Sequence, residues 1–164
     1  MHWLVNIALY NLVWWIAVLG GNHYAWLAGA LLLLHLLISN KRKADLIMLG
    51  SLLALGLVID GLLVQVGLFH FPQQQWPIPT WLMVIWLALA TLPLHSLRWL
   101  QNQLPLAGLL GALGGPLSYW AGVRLEAATF HWAMPPALVT LALVWGLLFP
   151  AIMLLARRLE PGTD

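Results

Sequence analysis

The run from Thr80 to Leu100, TWLMVIWLALATLPLHSLRWL, sets the tightest limit on what this chain can become. Its length of about 20 apolar residues suits one helix across the roughly 30 Å hydrocarbon core of a bilayer. Toward its end it also carries Thr91, His95 and Arg98. At helical spacing Trp81, Ala88, Thr91, His95, Arg98 and Asn102 share one side. A hydroxyl, an imidazole and a guanidinium are costly against lipid, so that side is expected to face the inside of a helix bundle.

The rest of the chain agrees with that solvent. Only 7% of the residues are charged and 62% are hydrophobic, against about 25% charged in ordinary soluble domains. A soluble single-core protein is thereby excluded, and one compact polytopic membrane bundle remains. The net charge of +2 is not a nucleic-acid signature. The basic residues stand in short clusters beside apolar segments, which is how membrane topology is encoded. Cysteine is absent, which removes disulfides, thiolate metal sites and cysteine nucleophiles. The N-terminus MHWLVNIALYNLVWW lacks a basic region and a cleavage site, and it carries Asn6, Tyr10 and Asn11. It reads as a retained first helix.

Six apolar segments are predicted, giving an all-α bundle of six transmembrane helices as one domain over residues 1–156. A polar cytoplasmic tail follows at 157–164. The segments run from about His2 to Leu19, Tyr24 to Ile38, Asp45 to Leu68, Thr80 to Leu100, Pro105 to Gly122 and Pro135 to Ala156. Gly20-Gly21-Asn22 separates the first two, and HFPQQQWPIP separates the third from the fourth. Lys41, Arg42, Lys43, Arg98, Arg157 and Arg158 then fall on one side of the membrane and Arg124 on the other. The positive-inside rule puts both termini in the cytoplasm. Trp3, Trp26, Trp76, Trp81, Trp99 and Trp132 fit the interfacial aromatic belt.

The fifth segment has its own pattern. Ala107, Gly111, Gly115, Ser118 and Gly122 recur at spacings of three and four, a stripe that lets another backbone approach closely. Gly114-Gly115-Pro116 is expected to kink or unwind this helix near mid-membrane. The segment reads as the central packing post beside the fourth, and the same stripe is compatible with a homodimer.

The polar residues sort into two poles. Toward the cytoplasm lie Asn6, His35, Thr91, His95, Ser96 and Arg98. Toward the opposite face lie His23, Asp60, His70, Tyr119, Arg124, Glu126 and His131. Asp60 falls about 15 residues into its helix, where a carboxylate costs about 2.5–3.5 kcal/mol. It reads either as a buried ion pair with Arg124 or as a proton-carrying group of a transporter. His95 with Arg98 suggests a site for a lipid phosphate or carboxylate, with the imidazole as acid–base group. The alternative is an arginine snorkelling to the interface beside a hydrogen-bonded histidine.

His23, His70, His131, Asp60 and Glu126 supply ligand types for zinc or iron. No HExxH or closely spaced histidine pair occurs, however, and no metal is assigned. For a haem held by two histidines, only His35 and His95 match in depth, and the cofactor is left open. Hydrolase and nucleotide motifs (GxSxG, P-loop, GxGxxG) are missing, and Ser96 points about 100° away from His95 on a helix.

Two strings together, PTWLMVIWLALATLPLHSLRWL and GGPLSYWAGVRLEAATF, with the Asn6 to Trp14 opening and Asp60, resemble the bacterial family catalogued as domain of unknown function 2878. The likeness spans nearly the whole chain, and Gly-Gly-Pro-Leu-Ser-Tyr is its most specific part. Positions that match the family pattern are Asn6, Asp60, His95, Ser96, Gly114, Gly115, Pro116, Ser118, Tyr119 and Arg124; the pattern has glycine where this chain has Glu126. The resemblance implies a small inner-membrane protein without an assigned activity, encoded near enzymes that modify fatty acyl chains. The expectation is therefore an accessory or lipophile-binding component of a membrane-lipid pathway. Its ligand would lie between the fourth and fifth segments, with Arg98 and His95 at the polar head. The membrane's own lipids are the expected partners and nucleic acid is not. A proton-coupled transporter using Asp60 and a membrane-embedded lipid-modifying enzyme using His95 are the alternatives.

Overall fold

The computed structural model describes residues 3–72 and 77–160. The described residues form five helices: α1 Trp3–Ile38, α2 Arg42–Gln65, α3 Thr80–Ala90, α4 Leu104–Arg124 and α5 Met134–Leu159. A 3₁₀ turn covers Arg98–Asn102, and two-residue strands, β1 Phe69–His70 and β2 Thr129–Phe130, pair antiparallel. All helices except α3 are long and apolar enough to cross a membrane, so the chain has the build of a multi-pass α-helical membrane protein. Trp76 and the last four residues of the expected tail lie outside the described residues. Residues 157–159 of that tail are helical: α5 runs on through Arg157 and Arg158 to Leu159, where cations suit the negative end of a helix.

The expected count of six helices does not hold as drawn. The first two segments form α1, which is interrupted at Gly21 (φ 55°, ψ −150°), a conformation that glycine adopts without steric cost. Asn6 hydrogen-bonds Thr91 and Ser96, and the ring of His35 lies 5.0 Å from that of His95. At the bend, by contrast, Asn22 accepts from the backbone N–H of Trp81 at 3.1 Å. The two far ends of α1 thus meet one end of the bundle and its middle meets the other. The halves fold back antiparallel.

The fourth segment is also shorter than expected. Its helix has 11 residues, about 17 Å at 1.5 Å per residue, and it stops at Ala90. Pro93 is the physical reason: it lacks an N–H and pushes the residue before it out of the helical region. What α3 lacks in length it makes up in position. Trp81, Leu82, Val84, Trp86, Ala88, Leu89 and Ala90 are all buried, with α1 packed on one flank and α2 on the other. Trp81, only 5% exposed, is therefore core rather than belt, whereas Trp3, Trp26, Trp99 and Trp132 are exposed.

The centre is α3, not α4. Helix α4 lies along α5, and its Gly108, Gly111 and Gly115 face that partner. A Cβ on Gly108 would stand 3.2 Å from the carbonyl oxygen of Gly146. One on Gly111 or Gly115 would run into Trp145. The stripe is used inside the chain, as close packing in lipid requires, but its neighbour is the last helix and not the fourth segment. Pro116 sits within α4 without breaking it, so the helix does not unwind at Gly114-Gly115-Pro116.

Helices α2 and α4 end alike. Gly67 N–H bonds Val64 O and Leu68 N–H bonds Leu63 O; Glu126 N–H bonds Val123 O and Ala127 N–H bonds Gly122 O. Both are Schellman closures with a left-handed residue, Gly67 (φ 71°) and Glu126 (φ 62°). Each delivers its chain into one of the paired strands.

Candidate functional site

Unwinding the chain after Ala90 frees carbonyls, and each unsatisfied group at membrane depth costs several kcal/mol. Side chains from other segments meet that demand. Asn6 Nδ2 donates to Thr91 O at 3.2 Å, Gln101 Nε2 to Pro93 O at 2.8 Å and Lys41 Nζ to Leu94 O at 3.1 Å. The Asn6 carbonyl in turn accepts from Ser96 N–H and Oγ–H. Asn6, Thr91, Ser96 and Gln101 are all buried. Asn6, Thr91 and Ser96, expected at one pole, are brought together here, and their network is a splint for a broken helix.

Beside this splint three ionisable side chains converge. His95 Nε2 is 2.9 Å from Asp45 Oδ1, His35 Nε2 is 3.8 Å from Asp45 Oδ2, and Ser39 Oγ–H donates to Asp45. Exposure is 1% for both Asp45 and His35. Neither ring nitrogen of His35 has a hydrogen-bond partner among the described residues. The ligand-capable atoms of His35, Asp45 and His95 lie within 4.8 Å of one another.

Arg98 stands apart from this group. Its guanidinium, half exposed, pairs with Glu160 at 2.6 Å, as does Lys41. Partial burial disfavours the Glu160 carboxylate, yet Lys41 and Arg98 outweigh that and hold its pKa below the usual carboxylate range. The pairing of His95 with Arg98 around one ligand head is thus not formed; each has another carboxylate.

Asp60 makes a different kind of site. It is fully buried and accepts from Trp86 Nε1–H at 2.7 Å and from Tyr119 O–H. The ion pair expected with Arg124 is not formed; the Arg124 guanidinium lies 6.0 Å from the ring of Trp120. Hydrogen bonds to a charged group contribute about 1.5–3 kcal/mol each, so two donors compensate part of the cost of burying a carboxyl group without a cation. The donors are themselves fixed by rings. Trp86 stacks on Trp145 at 5.2 Å, and Tyr119 on Phe69 at 5.4 Å.

These rings wall an apolar cavity of about 230 Å³ between the first half of α1, α3 and α4, with α5 behind. Tyr10, Trp14, Trp86, Gly114, Ser118 and Trp145 are among its lining. Trp14 Nε1–H donates to Ser118 at 3.1 Å. Gly114 and Leu110, also on the lining, are exposed on the outer side of α4, so the cavity opens sideways. A Cβ on Gly114 or Gly122 would meet nothing within 4 Å. The Nε1–H of Trp145 is buried without a hydrogen-bond partner among the described residues.

The opposite-face histidines do not gather into a ligand set. His70 and His131 stack at 5.8 Å on the two strands, while His23 stands against Tyr24. Asp60 is deep in the aromatic wall, and among the described residues only His35, Asp45 and His95 group at metal-ligand spacing. Asp45 is the site residue the sequence hides best. Acidic and in the first turn of α2, it resembles an ordinary partner for the helix dipole. The usable signal was Pro93, which bends the chain so that His95 turns toward it.

The family described as "Protein of unknown function (DUF2878)" matches residues 3–151. No curated protein and no solved structure matches the chain.

Proposed function

The chain belongs to the DUF2878 family of proteins of unknown function, and we propose that within it this protein binds a lipophile in a bacterial inner membrane, as an accessory to a pathway that modifies fatty acyl chains. The sideways-opening apolar cavity of about 230 Å³ carries this reading. Sites for small lipophiles are concave and mostly apolar, with a few placed polar groups. Here those groups are Tyr10, Ser118 and the buried indole N–H of Trp145, which suits a ligand bearing one hydrogen-bond acceptor. Arg98 and His95 do not line the cavity, so the polar end of the ligand lies against Trp145 and Ser118.

Both halves of α1 cross the membrane in this reading, and α3 completes its crossing through residues 91–102. That makes six passes. Lys41 and Arg98 meet at Glu160 near the end of α5, so the basic clusters share one end, the cytoplasmic one under the positive-inside rule. Because the chain has no cysteine, single substitutions read this directly. Trp132→Cys is expected to react with a membrane-impermeant maleimide from outside the cell and Arg158→Cys only after lysis.

Ligand binding is tested by extracting protein purified in a defined detergent and analysing the extract by mass spectrometry. A co-purifying acyl lipid or prenyl-type lipophile is expected, with most of it lost from Gly114→Phe, which fills the cavity. An empty extract, together with equal affinity of both proteins for a fluorescent fatty acid, would remove the reading.

A further inference from the structure

We propose that His35, Asp45 and His95 form a binding site for a divalent transition-metal ion of the zinc and iron class, separate from the lipophile cavity and independent of it. Three observations carry this. The first is the under-satisfied imidazole: His35 is 1% exposed, neither ring nitrogen makes a hydrogen bond among the described residues, and Nε2 has only its 3.8 Å contact with Asp45. An unpaired buried polar group costs about as much as a lost hydrogen bond, and such groups are rare in native proteins. An ion at Nε2 turns that cost into a ligand bond.

The second is spacing. Donor atoms bound at about 2.0–2.2 Å to one ion stand roughly 3–3.5 Å from each other. Asp45 Oδ1 and His95 Nε2 are 2.9 Å apart, Asp45 Oδ2 and His35 Nε2 are 3.8 Å apart, and all three ligand groups fall within 4.8 Å. The imidazoles are set edge to face at 89° with centroids 5.0 Å apart, so the two rings lie side by side without colliding.

The third is the donor set and its support. Two imidazoles and one carboxylate are the ligand types of open zinc sites and of non-haem iron(II) sites, which keep a position for water or substrate. The ligands come from α1, α2 and the unwound segment, so the ion would tie three parts of the chain together. Ser39 donates to Asp45 and orients the carboxylate as an outer partner does. The nearby Lys41 ammonium is held by Leu94 O and Glu160, which keeps that cation from competing for Asp45. When the ion is present, His95 and Asp45 share it in place of a proton.

The full chain in detergent is stripped with EDTA and titrated anaerobically with Co²⁺, then Zn²⁺, then Fe²⁺. The wild type is expected to take up one Co²⁺ per chain with visible ligand-field bands, to exchange it for zinc, and to gain about 5 °C in thermal midpoint at saturating metal. His35→Leu is expected to lose the bands and the midpoint rise, while its metal-free midpoint stays level or goes up, because no orphaned nitrogen is left. Asp45→Asn keeps the shape and loses the bands, and it decides the matter if His35→Leu fails to fold. No uptake by the wild type at micromolar free metal overturns the site. So does uptake retained in either variant, which would place the ion elsewhere.

Discussion

Asp45 and Asp60 lie on the same helix, 15 positions apart, and both are buried almost completely. Their surroundings differ. Asp60 is met by an indole N–H and a phenol O–H, each held by a stacked ring. Asp45 is met by a serine and two imidazoles, one of them unsatisfied. Burial alone therefore says little about what a membrane carboxylate is for. What separates the two is the neighbours: fixed donors make Asp60 a fastener for an aromatic wall, and imidazole lone pairs make Asp45 part of a ligand set.

The sharpest way to break this contrast is Asp60→Ala. It leaves two donors buried without acceptors, each costing about 1–3 kcal/mol, so a loss of about 2–6 kcal/mol is expected in reversible unfolding in mixed micelles. A cost under about 1 kcal/mol would mean Asp60 fastens nothing. Next comes Gly56→Ala. A Cβ there would collide with the ring of Trp86, displacing the donor from Asp60, and overpacking of this kind costs about 1–3 kcal/mol. Gly114→Ala, with open space around it, is the matched control and is expected to change stability by under about 0.5 kcal/mol.

The smallest effect belongs to Glu160, at the rim of the Asp45 side. Its pKa is lowered in the folded protein, so its contribution is present above the ordinary carboxylate range and fades as pH falls through the lowered value. Glu160→Gln is expected to cost under about 1 kcal/mol near neutral pH. The difference from wild type should vanish in acid, as read by thermal midpoints across a pH series. A difference that grew toward low pH would reverse the sign of this account.

Much of the architecture could be read from the chain. The apolar segments and the grouping of Asn6, Thr91, His95 and Ser96 at one pole follow from solvent and periodicity, and the family likeness from two specific strings. Other features could not, and the reasons are specific. The break at Gly20-Gly21-Asn22 is legible, but not that it takes the form of a single left-handed residue, Gly21, inside one run of helix. Pro93 ends α3 although hydropathy continues to Leu100. The small-residue stripe announces a close neighbour but not which one, and α5 with its Trp145 takes the place. Asp60 is buried as expected, yet its partners are aromatic donors 26 and 59 residues away, a distance no local pattern encodes. Asp45 hides among topology charges, because a carboxylate beside lysines at a helix start is usually only that.

The contrast between the two carboxylates comes down to one paired measurement: thermal midpoints of Asp45→Asn and Asp60→Asn, each stripped of metal and then saturated with zinc. The account predicts that zinc raises the midpoint of the wild type and of Asp60→Asn by similar amounts, while Asp45→Asn does not respond. An equal response in both variants, or none in the wild type, would contradict it.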